Sequence, residues 1–430
     1  MTPPLRILTV APNLGPGGTQ RVAQNYAIGY AEAGHASAVL GYGGGGPRAE
    51  SLRRAGLEVF AEAEDAVDAA AEWHPTVVHV HRGGDPFAPI TPVLDRLAAV
   101  EPRPTFIETS VFARADDTAT GRLFDLHLQL TRWCMWKWRK WSRSIRPEPV
   151  GVVMPYAIDP TSFFPDPKAA VAFRSAHEIP ASAIVYGRIG QPDEAKWMPE
   201  LVDSFRSVAE HHEDAYLLVV GPSPSVRQRI ESLPPSAAAR VRIVDFLHGD
   251  DALRAAYSAM DVFVLAARIG ESFGMVLAEA MLCGVPVVAR SRPARDNSQI
   301  EVVGHEEGGL IAANVAATTE AMERLHRDSD LRARLGARGR QRVLERYSAE
   351  VVLPQLIEVV EAAVAAPSRE ALRQRLAAMP GVVTHVSDAE ATAMLTRSIG
   401  RPSLVERAVM VASHHPGLYG AWRRLRDLVR

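Results

Sequence analysis

The stretch 261–289 constrains this chain more than any other. It opens with an apolar run at 261–266 and closes with another at 285–289, each with the length and composition of a buried strand. Between them, 273–283 reads as a helix, with Gly284 placed to end it. A strand, a helix and a second strand in so short a span form one unit of a parallel sheet. Such sheets bind ligands in the loops at the carboxyl ends of their strands.

Two carboxylates fall in this unit, Glu271 in the loop before the helix and Glu279 inside it. The amides of Phe273, Gly274 and Met275 are expected to be free at the helix start, where they suit a phosphate. A carboxylate does not hold phosphate, but it accepts hydrogen bonds from sugar hydroxyls. Amides beside carboxylates therefore suggest a nucleotide sugar, with Ser272, Phe273, Gly274 and Met275 on its phosphate side. The spacing of the two glutamates by itself fits a solvated helix face equally well, so the neighbouring segments have to decide.

Strands and helices alternate through the first half, with strands at 6–11, 38–41, 76–81 and 105–108 and a helix at 20–33 ended by Gly34. The second half repeats the pattern, with strands at 184–188, 216–221, 241–246, 261–266 and 285–289. The fold class expected is α/β: two doubly wound Rossmann-like domains facing a cleft that would hold donor and acceptor, plus a helical C-terminal extension. The expected domains are 1–165, 166–347 and a helical segment 348–430 whose first part crosses back to the first domain. The proline-rich stretch 155–167 is the hinge.

A net charge of -2 gives no reason to expect a nucleic-acid partner. Cys134 and Cys283 lie far apart and Cys283 falls in the buried helix, which favours a reducing cytoplasm over a disulfide framework. The first strand runs into Pro12 and a glycine loop, unlike a signal peptide. No apolar run is long enough to span a bilayer. The nearest, 351–366, carries Pro354, Gln355, Glu358 and Glu361 and reads as an amphipathic helix. The arginine-rich end, 422–430, reads as a second amphipathic helix packed on the body, with peripheral membrane or partner contact as the alternative. A homodimer is compatible with the sequence.

Three further segments carry chemistry. The strand 184–188 ends in Arg188, and Lys196 follows across a short loop. Glycosyl transfer from a nucleotide sugar expels a diphosphate whose charge grows as the anomeric bond breaks, so two fixed cations stabilise the transition state more than the ground state and can replace a metal. The loop at 15–21 has Gly15, Gly17 and Gly18 between the first strand and the first helix, where backbone can approach a ligand closely. It lacks the third glycine of a dinucleotide fingerprint. The third segment is 295–303 with the return strand 308–311. A metal-binding Asp-x-Asp has one candidate, Asp328 and Asp330, which looks like a helix start instead.

Together these segments resemble the nucleotide-sugar site of glycosyltransferase family 4, a group of retaining enzymes of GT-B fold, most strongly over the second domain. The resemblance implies that Arg188 and Lys196 hold the diphosphate, that Glu279 binds ribose hydroxyls, and that Glu271 with the following amides holds sugar and phosphate. It also implies that Gly17 and Gly18 face donor phosphate and acceptor, and that 241–246, with Phe246, walls the base. The activity implied is retaining transfer of a sugar from a GDP- or UDP-sugar to a small-molecule acceptor, without metal or other cofactor. The alternative is a non-catalytic nucleotide-sugar or glycan-binding relative; an epimerase of the same fold is a more distant third.

The resemblance thins near 105–112. Where the family commonly has Thr-x-His, this chain has Glu108, Thr109 and Ser110, placing the last two as acceptor contacts. His79 and His81 share one face of their strand and read either as packed structural residues or, for His81 nearer the strand's end, as a catalytic histidine reaching the cleft. A thiol acceptor would need a base least. Trp133, Trp136, Trp138 and Trp141, interleaved with Arg132, Lys137, Arg139 and Lys140, form either a packing helix or an aromatic wall. On the second reading Trp133 and Trp136 would meet a flat or cationic acceptor, and a betaine thiol such as ergothioneine would satisfy both oddities.

Overall fold

The computed structural model describes residues 4–415 and Leu418. The predicted helix at 422–430 lies outside the described residues. The chain divides into two compact units. Up to Ser413, the first holds the chain to Ile158 plus Ala349–Asp388, and the second holds Asp159–Ser348 plus Ala389–Ser413.

The first unit contains a seven-stranded sheet of β1 (Arg6–Ala11), β2 (Ala36–Gly41), β3 (Glu58–Phe60), β4 (Val77–Arg82), β5 (Thr105–Ser110), β6 (Leu126–Gln129) and β7 (Gly151–Val153). The order is β3-β2-β1-β4-β5-β6-β7 and every pairing is parallel. Strands buried on both faces read as near-continuous apolar runs, which is why β1, β2 and β4 were legible in sequence. β3, β6 and β7 are three or four residues long and escaped notice. The apolar core joins Leu8, Val10, Leu40, Val78, Val80 and Phe106 to helix residues Leu94 and Leu97. The helix Ala349–Ala365 belongs to this unit and packs on the helix Gly18–Glu32, with Leu353 against Gly29.

The second unit has β8 (Ile184–Ile189), β9 (Ala215–Val220), β10 (Val241–Val244), β11 (Val262–Leu265), β12 (Gly270–Glu271), β13 (Val287–Arg290), β14 (Asp296–Asn297) and β15 (Gly309–Ala312). Six of these make a parallel sheet, β10-β9-β8-β11-β13-β15, while β12 and β14 pair separately. Trp197, Leu201, Phe205, Leu217, Val219, Val264 and Met322 are buried between this sheet and its helices. Each side chain of that kind contributes roughly 1.5–3 kcal/mol on burial. The chain order reverses at β8, whose neighbours are β9 and β11. A crevice opens at such a reversal, outside the carboxyl ends of the strands.

No helix among the described residues is long and apolar enough to cross a membrane. Cys134 and Cys283 are both free and buried. Asp328 caps the helix Ser329–Arg346, its carboxylate accepting from the Leu331 amide at 2.8 Å, so the Asp-x-Asp is a helix start.

Candidate anion and sugar site of the second unit

Arg188 ends up at the strand reversal because β8 carries it as its fifth residue. Its side chain is 1 % exposed. Burying a guanidinium is costly unless its donors are satisfied. Here Nη1 donates to the Ile189 carbonyl and Nη2 to that of Lys196 at 3.0 Å, while Nε is buried without a partner. The guanidinium lies over the rings of Trp197 and Phe263, at 5.2 and 5.6 Å. Burial pushes its pKa down, with Glu271 and Tyr257 opposing. Among the described residues Arg188 makes no ion pair, so a buried cation is left facing the end of the sheet.

The loop after β8 is folded by local bonds. Glu194 accepts from the Ser225 amide at 2.9 Å and the Ser223 hydroxyl at 3.3 Å, and Trp197 Nε1 donates to the Gln191 carbonyl at 2.8 Å. These bonds hold Lys196 so that its Nζ lies 3.4 Å from Glu271 Oε2. Lys196 is partly exposed and Glu271 nearly buried.

Glu271 is held from the other side by β14. Gly270 pairs with Asp296 and Glu271 with Asn297. The Glu271 amide donates to Gln299 Oε1 at 3.3 Å, and Gln299 Nε2 donates to the Arg290 carbonyl at 3.0 Å. Asn297 ties its own loop together, donating to the Arg292 and Arg295 carbonyls and accepting from the Arg292 amide. The sequence pointed to the segment 295–303 but not to this work. Polar residues in a loop carry no periodic signal, and their partners lie on another loop.

The helix after Glu271 spans Met275–Leu282, shorter at both ends than the expected 273–283. Gly274 sits left-handed at φ +86°, which stops the helix from starting earlier. Ser272 and Phe273 therefore belong to the preceding loop. The amides of Gly274, Met275 and Val276 donate to no acceptor among the described residues. The helix is apolar all round except for Glu279, itself 5 % exposed. Such a carboxylate needs a partner, and the Tyr257 hydroxyl donates to its Oε2 at 2.8 Å. Burial, then Glu279, raises the Tyr257 pKa well above its ordinary value, keeping the hydroxyl a donor. Tyr257 had no sequence signal beyond its place on an amphipathic helix.

Arg188, Lys196, Glu271, Gly274 and Glu279 thus share one neighbourhood of the second unit. Phe246 is 37 % exposed, its ring 3.6 Å from where a side chain on Gly221 would begin, at the carboxyl end of β9. It follows β10, which stops at Val244, instead of ending a strand as expected.

The first unit departs further from expectation. Gly17 caps the helix Gly18–Glu32 without a side-chain bond, in a partly open loop at the end of β1. Thr109 and Ser110 lie inside β5, 1 % and 0 % exposed, and do not offer an open acceptor surface. Thr109 Oγ1 is occupied by His79 Nε2 at 2.8 Å, and His79 Nδ1 meets the Tyr30 hydroxyl at 2.9 Å. His81 also fails to reach solvent. It is fully buried, stacked on His79 at 4.7 Å, and burial lowers its pKa to about 3. An imidazole held neutral in the core is a poor proton carrier for an open site. Trp133 and Trp136 are 0 % and 3 % exposed, and Trp136 Nε1 donates to Asp388, so this is a packing helix and not an acceptor wall.

Reasoning from sequence also missed a buried ionic cluster at the ends of β4, β5 and β6. Arg82 donates to Glu108 at 2.5 Å and to Asp116 at 2.9 Å, and Glu108 meets His127 Nδ1 at 2.5 Å. Burial pushes the Glu108 pKa up, but Arg82 and His127 outweigh it and hold the carboxyl below its ordinary range.

Comparison with known proteins gives this geometry a context. Residues 181–328 match the family model for glycosyl transferases group 1. Phosphatidyl-myo-inositol mannosyltransferase of Mycobacterium leprae is 36% identical over 187 residues, 42% of this chain and 46% of that protein. N-acetyl-alpha-D-glucosaminyl L-malate synthase of Bacillus anthracis is 30% identical over 166 residues, 37% of this chain and 40% of that one. The chain spans about half the length of the curated relatives it matches. Among solved structures, a glycosyltransferase from Rickettsia africae ESF-5 is similar with a TM-score of 0.68 and 14% identity, over 84% of this chain and 99% of that one. HepE of Anabaena, in complex with UDP and glucose, is similar with a TM-score of 0.66 and 17% identity, over 83% of this chain and all of that one. At these identities the likeness is one of fold. The chain consists of two Rossmann-like α/β domains of GT-B type with a helical C-terminal extension, and 181–328 is a glycosyltransferase group 1 domain.

Proposed function

We propose that this protein is a glycosyltransferase of the family 4 type, moving a sugar from a GDP- or UDP-sugar to a small-molecule acceptor with retention and without a metal at the reacting centre. The observation that carries the reading is Arg188, a buried guanidinium with an unpartnered Nε, beside Lys196 at the strand reversal. A permanent buried cation without a carboxylate partner calls for an anion from outside.

In this reading Arg188, Lys196 and the amides of Gly274, Met275 and Val276 receive the diphosphate. Glu271, turned by Lys196 and β14, accepts from hexose hydroxyls. Glu279, oriented by Tyr257, accepts from ribose, and the exposed ring of Phe246 packs on the base. As the bond from the anomeric carbon to the β-phosphate oxygen breaks, its electron pair stays on the phosphate, where the two cations stabilise it. The acceptor's heteroatom bonds to the anomeric carbon on the face being vacated, and its proton passes to that phosphate oxygen. No strong protein base is required, which fits a first unit in which His79 and His81 are buried and held neutral. A thiol acceptor stays within the proposal for that reason. With Trp133 and Trp136 buried, nothing argues for a cationic one. Gly17 and Gly18 are proposed to approach the acceptor through backbone alone.

The test is donor turnover by Arg188→Ala and Lys196→Ala, assayed as nucleoside diphosphate released with a panel of acceptors. Removing one such donor is expected to lower kcat by about 100-fold or more. Wild-type turnover in both variants would end the leaving-group assignment. Tight nucleoside-diphosphate binding without turnover on any acceptor would favour a non-catalytic binder.

A further inference from the structure

At the amino-terminal edge of the second sheet, away from Arg188, three side chains converge. His212 lies in the turn after the helix Glu200–Ala209, Asp214 immediately precedes β9, and His326 projects from the helix Val315–Arg327. One ligand atom from each lies within 4.8 Å of the others. The imidazoles of His212 and His326 are 3.8 Å apart between ring centres. His326 Nε2 is 3.1 Å from Asp214 Oδ1, close to the roughly 3.3 Å edge of a tetrahedron built on 2.0–2.1 Å bonds.

The hydrogen bonds around His326 say what is missing. The Tyr186 hydroxyl donates to the Met322 carbonyl at 3.0 Å, so it turns a lone pair to His326 Nδ1, also at 3.0 Å. In the tautomer with the proton on Nδ1, which this bond suits, Nε2 turns a lone pair toward the carboxylate oxygen. The nitrogen and the carboxylate oxygen are then spaced to share a cation. A metal-bound imidazole whose other nitrogen is held by a buried partner is the arrangement that orients a ligand.

We propose that His212, His326 and Asp214 form a binding site for a divalent transition metal of the Zn2+ class, which staples the turn before β9 to the helix Val315–Arg327. Two neutral imidazoles and one carboxylate suit such an ion, with a fourth position left for water. Glu323 lies 2.9 Å from His212 Nε2 and flanks the cluster. The other charges facing the cluster are Arg327, paired to Glu323, Arg332, which donates to the His326 carbonyl at 2.8 Å, and His211, 3.9 Å from Glu323. The site is structural, separate from the anion site and independent of the transfer reaction proposed for it.

The experiment uses the full chain without a polyhistidine tag, stripped with chelator and titrated with Zn2+ and with Co2+. One equivalent per chain, a raised Tm and visible Co2+ absorption are expected, since an ion bound only by the folded form raises its melting point. Asp214→Asn, at a half-exposed position that the fold tolerates, and His212→Gln are expected to weaken binding by at least about tenfold and to remove the Tm shift. Tyr186→Phe, which keeps the ring and loses the hydroxyl, is expected to weaken it about tenfold. His211→Gln is expected to change nothing. The same stoichiometry and Tm shift in Asp214→Asn and His212→Gln would overturn the proposal. So would no binding at about 100 µM Zn2+, leaving a proton as the shared cation between Asp214 and His326.

Discussion

At the scale of single residues, the second unit handles buried charge in two ways. Arg188 is satisfied partly by backbone and left with one orphan donor, whereas Glu279 accepts from the Tyr257 hydroxyl. A hydrogen bond to a charged group contributes about 1.5–3 kcal/mol. If Tyr257 orients Glu279 for a ribose, Tyr257→Phe will weaken nucleoside-diphosphate affinity about tenfold, measured by calorimetry, and leave the fold intact. Unchanged affinity would reduce Tyr257 to packing. Glu108 is the opposite case, a carboxylate enclosed by Arg82 and His127. Glu108→Gln keeps the shape but removes half of the charge that balances Arg82, so unfolding in denaturant should show a loss of about 3–5 kcal/mol. A loss under about 1 kcal/mol would mean that Asp116 alone suffices.

At the scale of elements, the two-residue pair of β12 and β14 matters more than its length suggests, because it sets the position of Glu271. Gly270 is at φ +77°, and a Cβ there would meet the Asp296 carbonyl oxygen at 1.9 Å. Gly270→Ala therefore adds a left-handed strain to a backbone clash, together costing several kcal/mol unless the pair separates. The expected outcome is a Tm lowered by several degrees together with weakened nucleotide binding. Full nucleotide affinity in a destabilised variant would show that β12 serves stability alone. The same scale explains why the helix after Glu271 was read too long. Its apolar pattern runs on through Phe273, and only the left-handed Gly274, whose conformation no pattern reveals, cuts it short.

At the scale of the whole molecule, the buried histidines give stability a pH dependence. Unfolded, His81 takes a proton near pH 6.5, but folded it does so only near 3. The unfolded chain thus binds more protons between these limits, so stability is full above about 6.5 and is lost as pH falls toward 3, by about 1.4 kcal/mol per unit per proton. His79, lowered further by burial and by His81, and Glu108, held below its ordinary value, act in the same direction. His81→Leu should flatten the slope of unfolding free energy against pH by one proton over that window. An unaltered slope would place the titration elsewhere. Because both ring nitrogens of His81 lack partners, the variant should be no less stable than the parent at pH 7.

Apolar runs bounded by glycine and proline determined the alternation of strands and helices, hence two parallel sheets in series and the loops where a ligand belongs. They did so because burial on both faces of a strand leaves a continuous signature in the chain. Arg188 and Glu271 stand out in the chain for a related reason: they lie at, or within five positions of, the end of such a run. Tertiary structure alone decided which polar groups are enclosed. His81, Thr109, Ser110, Trp133 and Trp136 stand at positions whose exposure the sequence leaves open, and packing against other elements closes them off. Tyr257, Asn297, Gln299 and the grouping of His212, Asp214 and His326 depend on partners up to more than a hundred residues away, a relation that hydrogen-bond geometry fixes and a single sequence does not encode locally.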